Sequence, residues 1–390
     1  MIPSISLLRG GPSVAVREMC RSLARYGITV HVATTDDNGP RRLDVPLGQA
    51  QRKDDVTFWY FPRQTQFYTA SWPLTRWLCR HVLDYDLVHV HAVFSYSSTV
   101  ASLLAERHRV PYVILPHGIL RPWGMQNRHH GLKRLSFALL ERHYLSTATF
   151  VQCTSASEAS EIRALGVTSP IYVLPLGIEL SQYETLPPPR AVCDASLPIR
   201  ERLQVLFIGR FDATKGLDTL LQALARLRCR LPRMALVLAG NGSAKQIAIL
   251  RKQIRDLKLD DDVVLPGFLD DSAKLAALAD ADVVVLPSYT ESFGLAAVEA
   301  MASGRPVIVS DQVAIHREIA EAQAGLVVPC QADALADALA SLAHDPELRR
   351  RLGDNGRRLV RKQFSLESTT ARLMQAYVGA VQGCLPVPIA

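Results

Sequence analysis

The chain has 390 residues, 48% of them apolar, and a formal net charge of +7. That length exceeds what one hydrophobic core ordinarily supports, so two globular domains are expected and a disordered or fibrous chain is excluded. No apolar run approaches the roughly 18 residues of a membrane-spanning helix, and no signal-peptide pattern opens the sequence. The seven cysteines are scattered without a C-x-x-C pair, which points to a reducing cytoplasm and against zinc or a disulfide framework.

In chain order, residues 1–7 read as a short first strand running into Arg9-Gly10-Gly11-Pro12-Ser13 and then an amphipathic helix over 14–26. A glycine pair between strand and helix permits close backbone approach to a ligand, but it is not the dinucleotide G-x-G-x-x-G. Strands follow over 28–34, 56–61 and 86–91, the last carrying His89 and His91 on one face. Spacing two suits a metal pair, yet no third ligand is evident and a packed or strand-end role is the expectation. A strand over 112–116 delivers His117-Gly118 at its carboxyl end, where open α/β sheets meet ligands. An ordinary loop histidine fits that position as well.

Residues 121–146 are basic and apolar together, with Arg121, Trp123, Arg128, Lys133, Arg134 and Arg142 opposed only by Glu141. Such a segment suits an anionic membrane surface or a pyrophosphate-bearing acceptor, and equally a surface helix with a normal core stripe. Charge elsewhere agrees with acidic partners: residues 1–185 hold 19 Lys/Arg against 14 Asp/Glu. Strands over 149–154 and 171–174 complete the first βα series, and the proline-rich stretch 186–202 reads as a linker.

A second βα series has strands over 203–208, 234–239, 263–265, 283–286, 306–310 and 325–328. Two blocks of alternating strands and helices imply an α/β protein of two doubly wound parallel sheets, Rossmann-like domains facing a cleft. The expected domains are 1–185, completed by a C-terminal helix over 365–390, and 203–364. After the first strand of this block come Gly209, Arg210, Lys215 and Gly216. The two cations are placed to converge on one anion, or to make helix-flanking salt bridges to Asp212 or Asp218. Asp280-Ala281-Asp282 spells D-x-D but precedes a buried strand, so it reads as a strand-edge feature and not as a metal site.

The stretch 287–304 joins the apolar run Val283-Val284-Val285-Leu286 to a helix and carries Glu291 and Glu299. Ser292 is available as an N-cap, Gly294 for close approach, and the backbone of Phe293-Gly294-Leu295 for an anion at the helix start. A carboxylate grips paired sugar hydroxyls well. Both acids also fit as ordinary solvated carboxylates favoured by the helix dipole.

Together, Gly209-Arg210 to Lys215-Gly216, Gly240-Asn241-Gly242, and Glu291-Ser292-Phe293-Gly294 to Glu299-Ala300-Met301-Ala302-Ser303-Gly304-Arg305-Pro306-Val307 resemble the retaining glycosyltransferases of family 4, with the two-domain GT-B fold. The likeness extends to bacterial enzymes that assemble exopolysaccharide or lipopolysaccharide. It implies that Gly10 and Gly11 approach the donor phosphates, that His117 contacts the transferred sugar, and that Arg210 and Lys215 hold the diphosphate. It further implies that Glu291 grips sugar hydroxyls, that Glu299 holds the ribose, and that Gly209, Gly240, Phe293, Gly294 and Leu295 line the donor. The donor implied is a UDP- or GDP-sugar. The acceptor implied is a glycan or a polyprenyl diphosphate-linked glycan, with Arg121, Trp123, Arg128, Lys133 and Arg134 on the acceptor or membrane side. Neither metal, cofactor nor nucleic acid is implied. The expected place is the cytoplasm, peripheral on the inner face of the plasma membrane.

Two departures stand out: Pro175-Leu176-Gly177-Ile178-Glu179 replaces the more usual Pro-Asn-Gly-Ile-Asp, and the family's first strand begins several residues earlier, so a start upstream of Met1 is expected. Alternatives on the same residues are a nucleotide-sugar epimerase, which converts donor without an acceptor, and a non-catalytic membrane-associated scaffold that binds the nucleotide sugar. A dehydrogenase would need nicotinamide.

Overall fold

Parallel strands form where the sequence carries uninterrupted apolar runs, because a strand covered on both faces needs no polar side. The computed structural model describes residues 1–6, 8, 10–126, 130–188, 202–228 and 234–384. The chain divides into two units, Met1–Gly177 with Leu366–Ala390, and Ile178–Ser365. The expected linker therefore falls within the second unit, and its residues 189–201 lie outside the described residues.

In the first unit the strands are β1 (Val30–Thr35), β2 (Asp37–Asn38), β3 (Arg41–Arg42), β4 (Ala50–Lys53), β5 (Val56–Phe61), β6 (Val88–His91), β7 (Tyr112–Leu115), β8 (Phe150–Cys153) and β9 (Ile171–Val173). β6, β7, β8 and β9 form one parallel sheet in sequence order, and β7 and β8 are buried throughout. A second sheet has the order β1-β5-β4, in which β4 runs antiparallel to β5. This sheet is not purely parallel as expected. Lys53-Asp54-Asp55-Val56 closes the hairpin with φ of 53° and 60° at the two aspartates, a tight turn whose twist matches that of the strands.

Over residues 1–6 the expected first strand does not form, and Leu7 lies outside the described residues. Met1–Pro3 instead lies between β1 and β6: Ile2 N–H donates to Ala33 O at 3.2 Å, Thr35 N–H to Pro3 O at 3.4 Å, and His91 N–H to Met1 O at 2.8 Å. Pro3 has no N–H, so the ladder cannot continue through it. Beside Met1–Pro3, between β1 and β6, is a cavity of about 570 Å³ lined by Ile2, Val30, Val32, Leu87, His89 and Tyr377 among others.

The helix Gly11–Arg25 starts earlier than the expected residue 14, with Pro12 in its first turn, where a missing N–H costs nothing. The last helix, Leu366–Gln382, shares a core with it through Leu373, Ala376, Ala380 and Leu23, together with Val113, Phe150 and Tyr172. Thr370 Oγ1 also hydrogen-bonds Ser22 Oγ at 2.8 Å.

The second unit holds β10 (Leu203–Ile208), β11 (Met234–Ala239), β12 (Val263–Gly267), β13 (Val283–Leu286), β14 (Val307–Ser310) and β15 (Gly325–Val328) in one parallel sheet of order β12-β11-β10-β13-β14-β15. Order reverses between β10 and β13, the switch point at which such sheets bind ligands. β13 is wholly buried, each side chain worth about 1.5–3 kcal/mol when removed from water. Pro266 is confined to β12, an edge strand, where its missing donor breaks no central ladder.

Candidate active site

The chain leaving β13 is pinned from two sides. Tyr289 N–H donates to Thr214 O at 2.7 Å and Ser310 Oγ to Ser288 O at 2.5 Å, so the loops after β10, β13 and β14 are fastened together. The helix that follows is Leu295–Ala302, and its N-cap is Gly294, with φ of 98°, not Ser292. The correction has a physical cause: a positive φ is easy only for glycine, and a Cβ at Gly294 would press on Val313 at 2.9 Å. Ala297 and Val298 N–H turn back to Gly294 O, while among the described residues the N–H groups of Gly294, Leu295 and Ala296 have no protein acceptor. Together with the helix dipole they favour an anion.

Against this helix start stands an ion pair, Lys215 Nζ to Glu291 Oε2 at 2.5 Å, with side chains only 14% and 17% exposed. Lys215 thus turns to Glu291 and not to Asp212 or Asp218. It leaves a 3-10 turn, Ala213–Lys215, capped by the Asp212 carboxylate through the Thr214 N–H, and Gly216 follows at φ of 63°. Any Cβ at Gly216 would overlap the carbonyl of Pro287, so the approach of this turn to the β13 loop requires glycine. Gly240 likewise lies against the Gly209 carbonyl, and Gly209 N–H bonds Ala239 O at 3.0 Å. Arg210 differs from Lys215: it is 63% exposed, with only a 3.4 Å contact to Asp212.

Glu299 is buried on the same helix. Its Oε1 accepts from Lys274 Nζ at 2.8 Å and from Tyr183 Oη at 3.3 Å. Burial opposes charge on Lys274, but the Glu299 carboxylate beside it and Asp271 outweigh that, holding the ammonium above its ordinary range. Neither Lys274 nor Tyr183 was a candidate on the sequence, since their separations from Glu299 follow no helical or strand period. Asp282 carries out the strand-edge role expected of it: its backbone and carboxylate both bond Gln204, at 2.9 and 2.8 Å. Among the described residues no group of His, Cys, Asp and Glu is arranged to hold a metal ion.

In the first unit Gly10 is the N-cap of its helix at φ of 83°, and open space surrounds both Gly10 and Gly11 where a Cβ would stand. His117 leaves β7 in the left-handed region at φ of 57°, followed by Gly118 at 72°. The Gly118 N–H is held by Glu158 Oε1 at 2.6 Å, while Glu158 Oε2 accepts from the Thr154 N–H and hydroxyl. Glu158 occupies the fourth position of a Ser-x-x-Glu capping signature, with Ser155 capping its N–H at 3.2 Å. That signature alone predicts a helix-start role. Its use on Gly118 depends on the β7–β8 pairing. Burial lowers the His117 imidazole to about 4, so it is neutral at physiological pH.

The basic segment 121–146 divides. Arg121 is tied to Glu161 at 3.1 Å, Lys133 donates to Gly124 O at 2.6 Å, and Arg128 lies outside the described residues. Trp123 and Arg134 are exposed, as are Leu132, Leu135, Leu139 and Leu140, with Leu139 at 66%. The segment does carry a core stripe, Phe137, Tyr144 and Leu145, and these leucines stand outside it. The one acid, Glu141, is buried and bonded by Ser136 and Tyr68, which leaves the outer face apolar and cationic.

Two family models match the chain: Glycosyltransferase Family 4 over residues 9–182 and Glycosyl transferases group 1 over residues 194–359. A D-inositol 3-phosphate glycosyltransferase from Kribbella flavida is 30% identical over 369 residues, 88% of this chain and 85% of its own. Among solved structures, sucrose-phosphate synthase from Thermosynechococcus elongatus aligns with a TM-score of 0.78 at 26% identity, covering 96% of this chain and 94% of that one. Anabaena HepE in complex with UDP-glucose aligns with a TM-score of 0.75 at 19% identity over 95% and 96% of the two chains, a likeness of fold. These neighbours have the GT-B fold, and the two parallel-sheet α/β units of this chain are of that class.

Proposed function

Because the chain belongs to the family 4 glycosyltransferases, we propose that it transfers a sugar from a nucleotide diphosphate sugar to a hydroxyl of a glycan or lipid-linked glycan acceptor, with retention of anomeric configuration. The observation that carries the reading is the Lys215–Glu291 pair set against a helix start whose N–H groups lack acceptors among the described residues. Lys215, the exposed Arg210 and the amides of Gly294 and Leu295 neutralise the diphosphate as its bond to the sugar C1 lengthens. Glu291 grips the sugar hydroxyls, Gly209, Gly240 and Phe293 line the donor, and Glu299 holds the ribose. His117 contacts the transferred sugar, and the Gly10-Gly11 turn approaches the donor phosphates. The acceptor oxygen bonds C1 on the face from which the diphosphate leaves, and its proton passes to the departing diphosphate oxygen. No carboxylate is required as a nucleophile. Catalysis comes from orientation and from charge stabilisation.

A UDP-sugar is the first donor to test, since the Anabaena fold relative binds UDP-glucose. Thermal stabilisation of the purified protein by UDP-, GDP- and ADP-sugars identifies the donor. Release of nucleoside diphosphate should then depend on an acceptor and continue unchanged in excess EDTA, because the cations replace a metal. Interconversion of sugars without acceptor would establish the epimerase instead, and binding without any turnover the scaffold.

The face formed by Leu132, Leu135, Leu139 and Arg134 supports peripheral attachment to an anionic leaflet and a phosphate-bearing, polyprenyl-linked acceptor in surface polysaccharide synthesis. Among the described residues no helix is long and apolar enough to cross a membrane. Flotation with anionic vesicles should exceed that with neutral ones, fall as salt screens the charge, and drop for Leu139→Glu. Equal recovery on neutral vesicles in high salt would contradict the attachment.

A further inference from the structure

His117 is the last of three histidines that touch in series. His89 and His91 stack on β6 with ring centroids 4.1 Å apart, although they are two residues apart on one strand face. His91 Nδ1 lies 3.2 Å from His117 Nε2, and their rings are 5.4 Å apart at 30°. At the other end His89 Nδ1 meets Tyr377 Oη of the C-terminal helix at 2.5 Å. The register explains the meeting: His91 pairs with Leu115 across β6 and β7, so its side chain stands beside the chain as it leaves β7.

Burial keeps all three imidazoles neutral, with His89 and His91 held well below the ordinary histidine range. A hydrogen bond between two neutral rings contains one N–H and one lone pair, so His91 and His117 fix each other's tautomers. Whatever His91 Nδ1 offers, His117 Nε2 takes the complement. The Nδ1 of His117 therefore takes the character of His91 Nδ1, a donor where that atom donates and an acceptor where it accepts, and it has no partner among the described residues. The backbone of the same residue is fixed separately, through the Glu158 bond to the Gly118 N–H.

We propose that His91 is a positioning residue for His117, fixing the orientation and tautomer of its ring so that Nδ1 is presented to the donor sugar. The inference rests on the reading of His117 as the residue that contacts the sugar. His91 is 2% exposed and its Nδ1 faces His117 Nε2, so its effect on the sugar passes through His117. Removal of such a supporting hydrogen bond costs on the order of 10- to 100-fold where geometry limits the reaction.

Three variants test this. His91→Phe keeps the ring volume and the stack but removes the nitrogen, and is expected to lower kcat by about 10- to 100-fold, with donor KM changed less than about 3-fold. His91→Asn returns a polar atom near the Nδ1 position and should recover most of the loss. His117→Ala tests the parent reading. In ¹⁵N spectra of the full chain, His117 should show one tautomer in the wild type and a mixture in His91→Phe. That readout does not depend on activity. If His117→Ala is impaired but His91→Phe turns over within about 2-fold of wild type with His117 still in one tautomer, the positioning role is wrong and the parent reading stands. If His117→Ala is fully active, the parent reading fails first. A His91→Asn loss equal to that of His91→Phe, tracking a fall in melting temperature with the tautomer unchanged, would mark His91 as packing and overturn the proposal.

Discussion

Lys215→Ala should lower turnover by about 100- to 1,000-fold while donor binding stays measurable, the usual cost of removing one preorganised electrostatic group from a developing charge. In the resting protein Lys215 is already neutralised by Glu291 at 2.5 Å, so it offers little extra attraction to the ground-state diphosphate. On the proposed reading, the leaving diphosphate gains charge as the sugar–oxygen bond breaks, and Lys215 has more to gain. A group whose interaction grows in the transition state affects kcat more than KM. A purely structural ion pair makes the opposite prediction: removing Lys215 would leave Glu291 without its partner, depress the melting temperature and spare turnover. Measuring kcat, donor affinity and melting temperature on one variant therefore separates the two. Wild-type turnover in Lys215→Ala would end its assignment to the leaving group.

Glu299→Ala should act chiefly on KM. A carboxylate hydrogen-bonded to a ribose is remote from the breaking bond and holds ground and transition states alike, so its loss weakens donor binding. At about 1.5–3 kcal/mol for a charged hydrogen bond, kcat/KM falls on the order of 10- to 100-fold with kcat little changed. Stability should fall as well, because Lys274, 18% exposed, loses the carboxylate that offsets its burial. Glu299→Ala combined with Lys274→Met should recover melting temperature but not KM. If the double variant recovers both, Glu299 serves the fold and not the donor. Steady-state kinetics with the donor from the stabilisation screen, run beside thermal melts, check both halves.

The fold was legible where chemistry is local. Val283-Val284-Val285-Leu286 reads as a buried strand because nothing polar interrupts it, and it forms one. Gly216 and Gly240 stand out in the sequence only within motifs for the donor, and each proves to lie against a carbonyl that excludes any side chain. What the sequence left unread depends on register between distant segments. Lys274 reaches Glu299 because the helix Asp271–Asp280 packs beside β10, and no spacing rule announces that. Glu158 carries a helix-start signature that fits many proteins, and only the sheet reveals that its carboxylate holds Gly118. Local rules also misled. Ser292 is the preferred residue type for an N-cap, but the bond of Glu291 N–H to Gln312 O and the crowding of Val313 put the turn at Gly294. Residues 1–7 are apolar enough for a strand, yet Pro3 cannot donate to the ladder on either side.

In the proposed reaction the sugar is transferred with retention and the nucleotide diphosphate is the leaving group. Proton NMR of the first-formed glycoside, followed from a donor of known anomeric configuration with nucleoside diphosphate measured in the same tube, tests it most directly. An α-linked donor should give an α-linked product and one equivalent of nucleoside diphosphate per glycoside. A β-linked product, or nucleotide released with no glycoside formed, would contradict the mechanism.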